Sequence, residues 1–247
     1  ATGETLHTLG ETTVSAAAMQ KTQNGPPQFD VRCIGMPAND PICSDANRIL
    51  AASYFVQAFN RYEGLGFLPP WLQLAAPPTD IEGNPLPFDS RHFAAVFLTK
   101  APCDAAGVYR SSSMTIDICL TGPLGPNRIE TINHELMHAV QYAYPNLRGD
   151  RRAHKNVTWL MEGAASTASR STATELLHDL DWPLRSVDGA INIPHGAESL
   201  LAYQAQDFWV HTGRFLGQTL GYLRNIYNLG GEAVDVDAAL GNNLEGA

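Results

Sequence analysis

From Ser44 onward, apolar residues recur at steps of three and four: Ile49, Leu50, Tyr54, Phe55, Ala58, Phe59 and Tyr62. That spacing predicts an amphipathic helix, and Gly64 and Gly66 supply its stop. Pro69, Pro70, Pro77, Pro78, Pro85 and Pro87 then keep the chain extended and loop-rich. The period changes at Phe93-Ala94-Ala95-Val96-Phe97-Leu98, a continuous apolar run of strand length. Gly107-Val108-Tyr109 and the run from Met114 to Leu120 read as two further strands, with Ser111 to Ser113 at their turn. A Gly/Pro break at 121–126 separates these strands from a second helical pattern. Its apolar stripe is Ile129, Ile132, Leu136, Val140 and Ala143. Asn127 and Glu130 stand at capping-box spacing, and Pro145 ends the pattern. Small residues then predict a further helix over 158–178.

The expected fold class is α+β. Residues 1–30, rich in Thr, Ala, Gln and Gly, read as an N-terminal arm or tail. Residues 31–247 read as a single domain. Its first part, 31–145, carries the long helix, the sheet and the second helix; 146–247 is mainly helical.

The chain of 247 residues carries a formal net charge of −9, which argues against a nucleic-acid partner. The local cluster Arg148, Arg151, Arg152 and Lys155 reads as a solvated loop. No run reaches the ~18 apolar residues of a membrane span. The four cysteines, Cys33, Cys43, Cys103 and Cys119, form no CxxC pair and allow three pairings. Cys33–Cys43 with Cys103–Cys119 is the simplest of these. Paired cysteines predict an oxidising, secreted or periplasmic location.

The chemistry lies on the second helix. His134-Glu135-Leu136-Met137-His138 is an HExxH motif. Two histidines one turn apart face the same way and can hold one Zn²⁺, with the glutamate between them as general base on the attacking water. At about 100° per residue the histidines fall opposite the apolar stripe, together with Gln141 and Tyr142. The helix is therefore expected to pack on its apolar face and line a cleft with its polar one. A catalytic zinc needs a third protein ligand. Glu162, in Trp159-Leu160-Met161-Glu162-Gly163-Ala164-Ala165-Ser166, is the candidate. A carboxylate among small apolar residues is costly to bury unless it is paired or metal-bound.

HExxH followed by W-x-x-E-G-x-A resembles the glutamate zincins (gluzincins), the group that includes thermolysin and the M1 aminopeptidases. The longer strings TINHELMHAVQYAY and WLMEGAASTAS are more similar to secreted bacterial metallopeptidases of the collagenase and hyicolysin type. The resemblance covers about a quarter of the chain, from Gly107 to Ser169. It implies a zincin-like fold, a small mixed sheet whose edge strand receives an extended substrate and packs on the HExxH helix. It also implies His134, His138 and Glu162 as zinc ligands, Glu135 as base, and 114–120 near the substrate strand. Ser166 stands where thermolysin-like enzymes carry an Asp behind the metal ligands, so another group has to orient His134 or His138. Gln141 and Tyr144 exclude the metzincin pattern. Relatives place an oxyanion donor well downstream of the third ligand. Tyr203, in SLLAYQAQDFWVHTG, ranks first, His195 second, and His211 is a third candidate.

The expectation is a secreted, monomeric zinc peptidase acting on a peptide or protein substrate. An endopeptidase is favoured over an aminopeptidase, because no acidic Gly-rich motif for a free amine is present. The alternative is a zinc-binding, catalytically silent adhesion or interaction protein. A chance HExxH in a metal-free protein is the third reading.

Overall fold

The computed structural model describes residues 5–7, 13–15, 27–37, 39–70, 92–125, 128–144, 147, 160–169, 209–210 and 220–229. Strands β1 (Thr5–His7) and β2 (Thr13–Ser15) pair antiparallel as a separate small ribbon. The main sheet has four strands in the order β3-β4-β6-β5: β3 (Gln28–Cys33), β4 (His92–Lys100), β5 (Gly107–Arg110) and β6 (Thr115–Leu120). β3 and β6 run parallel to β4, and β5 runs antiparallel to β6. Around the sheet lie α1 (Asp45–Gly64), α2 (Ile129–Gln141), α3 (160–169) and α4 (Gly221–Leu229). The fold is α+β with a small mixed sheet, and every described element after β6 is helical.

The three strands expected from the apolar runs are present. β3 is an addition that begins within the segment assigned to the N-terminal arm. Its alternation is brief: Phe29 and Val31 point into the core while Gln28 is exposed. The expected substrate-side strand needs one refinement. β6 lies inside the sheet, and among the described residues its hairpin partner β5 is the edge. Met114, φ 53°, closes the turn between them with its side chain buried.

α1 starts at Ser44, whose hydroxyl accepts from the Asn47 N–H at 3.3 Å. Its buried stripe is Ala51, Phe55, Ala58, Phe59 and Tyr62. Ile49, expected on that stripe, is 69% exposed. Positions 49 and 50 are six and five residues before Phe55, off the i, i+4 row through Ala51, Phe55 and Phe59. Phe29 stacks on Phe55 with ring centroids 5.2 Å apart, joining α1 to β3. Gly66, φ 81°, turns the chain after the helix. Val96, Leu98, Ile116, Ile118, Ile132, Leu136 and Val140 complete the core between sheet and helices.

Several polar groups inside this half are paired. Asn47 donates to the Ile42 carbonyl at 2.7 Å and accepts from the Leu124 N–H at 2.6 Å. Lys100 pairs with Asp40 at 2.7 Å, and its charge and hydrogen bond hold that carboxyl below its usual range. Both expected disulfides are formed, Cys33–Cys43 and Cys103–Cys119, with Cα–Cα distances of 5.8 and 6.2 Å. No helix among the described residues is long and apolar enough to cross a membrane.

Candidate metal centre

All five residues of the expected α2 stripe are buried. The start of the helix differs from expectation. Its N-cap is Arg128, which makes no side-chain cap hydrogen bond, and Asn127 lies outside the described residues. The helix is anchored from its side instead. The Tyr62 hydroxyl of α1 donates to the Asn133 carbonyl at 3.0 Å. The helix ends at Gln141, ahead of Pro145. Its polar face, expected to line a cleft, is largely covered, with His134 and the facing Glu162 partly exposed. Glu135, His138 and Gln141 are buried, because α3 and β5 cover them.

α3 brings Glu162 to the two histidines. His134 Nε2 lies 3.2 Å from Glu162 Oε2, His138 Nε2 lies 3.3 Å from it, and the two Nε2 atoms are 3.0 Å apart. The donor atoms thus form a nearly equilateral triangle. Ligands bound tetrahedrally to one Zn²⁺ at ~2.0–2.1 Å stand about 3.3–3.4 Å from each other. The group therefore fits a metal ion in number, in donor type and in spacing.

The rear nitrogens of both rings are also held. Gln141 Nε2 donates to the Met161 carbonyl at 2.9 Å and to the Tyr227 hydroxyl at 3.0 Å. A carbonyl only accepts, so these bonds fix the amide's orientation and turn Gln141 Oε1 toward His138 Nδ1, 2.9 Å away. Nδ1 is then the protonated nitrogen, and the Nε2 lone pair faces the triangle. Ser166 Oγ lies 3.4 Å from His134 Nδ1. The serine at the position of the expected Asp thus faces the ligand itself, at longer range.

Electrostatics follow from burial and proximity. Burial alone would raise the Glu162 carboxyl, but the charges and hydrogen bonds of His138 and His134 hold it well below its ordinary range. Burial alone would lower His138, but Glu162, Glu135 and Gln141 bring it up to about 9. A metal ion takes the place of the His138 Nε2 proton, so ion binding releases a proton. Glu135 is raised by burial, against the charges of His138 and His134 and a hydrogen bond from the Tyr109 N–H.

No protein-family model, curated protein or solved structure matches this chain. The functional reading is carried by the side chains themselves.

The structure brings together His134, Glu135, His138 and Glu162, four of the six residues expected at the site. Tyr203 and His195, like His211, lie outside the described residues. Three participants escaped the sequence reading. Gln141 was legible only as a polar residue on the histidine face, although its place three residues after His138 is a signal in itself. Tyr227 sits 86 residues from Gln141, and no local pattern links them. Gly107 was read only as the start of a strand. In the fold it lies directly against Glu135.

Proposed function

We propose that the protein is a secreted zinc-dependent peptidase with a zincin-like catalytic domain, cutting within an extended peptide. The observation that carries this reading is the triangle of donor atoms from His134, His138 and Glu162, with Glu135 adjoining it on the same helix. Two imidazoles and one carboxylate suit zinc better than the harder cations, which prefer all-oxygen sets. The two disulfides support an extracellular location.

Zinc, when bound, polarises the scissile carbonyl and makes water a stronger acid. Glu135 accepts the proton that water loses as its oxygen bonds to the carbonyl carbon. It delivers that proton to the amide nitrogen as the C–N bond breaks, leaving a carboxylic acid and an amine. Burial raises the Glu135 carboxyl toward the working pH, which suits a group that both takes and gives a proton. His134 and His138 hold their Nε2 lone pairs toward the centre. Tyr203, with His195 behind it, is the proposed oxyanion donor.

The test is digestion of an unstructured protein mixture by the wild type and by Glu135→Gln, read by mass spectrometry. The wild type should cut, and the variant should keep one zinc while losing at least ~100-fold in turnover. Equal cutting by both removes Glu135 from the mechanism. The second reading is a zinc-binding but catalytically silent interaction protein, which the burial of Glu135 favours. It predicts one bound zinc and no cutting by either chain.

A further inference from the structure

Among the described residues β5 is an edge strand, and its ladder with β6 fixes which of its backbone groups face away from it. The Cys119 N–H donates to the Ala106 carbonyl at 2.9 Å, and the register pairs Gly107 with Ile118 and Tyr109 with Ile116. Hydrogen-bonded pairs alternate along an antiparallel ladder. Val108 and Arg110 therefore exchange bonds with β6, whereas the N–H and C=O of Gly107 and Tyr109 point to the free edge. One of these outward donors is engaged, since the Tyr109 N–H donates to the Glu135 carboxylate.

The approach that makes this contact possible is close. A Cβ built on Gly107 would stand 2.7 Å from Glu135 Cγ, 2.8 Å from Glu135 Oε1 and 2.8 Å from Thr131 Cγ2. Carbon atoms do not pack at such distances. Thr131 and Glu135 are one turn apart on α2, so the strand rests on that helix face along a line that only glycine leaves free.

We propose that Gly107 and Tyr109 are positioning residues for Glu135. The free edge of β5 holds the carboxylate through the Tyr109 N–H, and an extended peptide pairing with that edge takes the same N–H and releases the base as it binds. This deepens the peptidase reading and rests on it. Substrate docking and mobilisation of the base become one event. A side chain at position 107 would disturb the base without touching a metal ligand.

The first experiment is site-resolved amide hydrogen exchange on the full chain, comparing wild type, Glu135→Ala and Gly107→Ala. The Tyr109 amide should be protected in the wild type and exchange about 10-fold faster or more in both variants, since a hydrogen bond to a charged acceptor is lost. The Val108 and Arg110 amides, bonded to β6, should be unchanged. Equal Tyr109 exchange in wild type and Glu135→Ala overturns the proposal, and that comparison decides even where Gly107→Ala does not fold. The second experiment measures binding of an uncharged Ala/Ser peptide of about ten residues to Glu135→Ala and Glu135→Gln. Glutamine keeps an acceptor oxygen and alanine does not. The alanine variant should bind about 10-fold more tightly. Equal affinities, or binding by neither, overturn the coupling. Neither measurement uses turnover, so an uncut substrate in the wild-type digest counts against the peptidase reading alone.

Discussion

The sheet half and the metal centre of this molecule are tied in different ways. The short ties around the sheet are the covalent ones: the disulfides span 10 and 16 residues, whereas Asp40 meets Lys100 across 60 residues and Asn47 meets Leu124 across 77. Around the metal centre the ties between elements are polar. Glu162 reaches His134 across 28 residues, Gln141 reaches Met161 across 20, and Tyr227 reaches Gln141 across 86. The sheet half thus carries covalent closures beside pairings that are themselves distant in sequence, such as Phe29 with Phe93. The centre exists only after three helices have docked, because His134, His138 and Gln141 of α2 take partners from α3 and α4.

Reduction with dithiothreitol separates the two halves most strongly. Each bridge should contribute about 2–4 kcal/mol, so the melting temperature should fall, while zinc affinity measured on the reduced but still folded protein stays within a few-fold. A parallel loss of affinity would show that the halves are not independent. Next in size, Glu162→Ala should weaken zinc binding by about 100-fold or more in a competitive chelator titration, since a direct ligand is removed from a three-ligand set. Unchanged metal content would require a different third ligand.

Behind the ligands the effects become smaller and unequal. Gln141→Leu should cost about 10–100-fold in zinc affinity, because His138 loses the acceptor that fixes its tautomer. Ser166→Ala should cost less, under about 10-fold, because its contact with His134 is 3.4 Å long. The reverse order would mean that His134 is the better-held ligand.

The smallest expected effect is a pH dependence confined to the helical half. His138 is raised from 6.5 to about 9, so its contribution to the stability of the chelator-treated protein is fully present below pH 6.5 and lost as pH rises through about 9. Glu162 is lowered from 4.5, so its contribution is present above pH 4.5 and lost as pH falls below it. Melting temperature after chelation should thus be highest between about pH 4.5 and 6.5. Zinc affinity should climb between pH 6 and about 9 as the competing proton leaves His138. A flat profile in both measurements would dissolve the ion pair between His138 and Glu162.

The contrast also explains what could be read from the sequence. β4, β5, β6 and α1 were legible because each announces itself within ten or twenty residues, by an apolar run, a turn or apolar residues at steps of three and four. The cysteine pairing was legible for the same reason. β3 was not, because two inward residues, Phe29 and Val31, make too short an alternation next to Gly25-Pro26-Pro27. The triad of His134, His138 and Glu162 was found because helix geometry fixes the first two and a carboxylate in an apolar setting points to the third. The supports behind it were hidden. Gln141 bonds outward to two other helices, and Gly107 matters through the space it leaves beside Glu135. Such spatial facts leave no period in a sequence.

The segment from Pro102 to Ala106 is exposed, and the Cys103–Cys119 bridge encloses its residues 104–106 together with β5 and the hairpin turn. Should a protease cut between Asp104 and Ala106, the bridge would keep the two fragments joined. A nicked molecule would then migrate as intact on a non-reducing gel and as two bands only after reduction. The edge strand would remain tethered beside α2 despite the broken backbone. Apparent resistance to proteolysis in preparations of this protein should therefore be judged under reducing conditions.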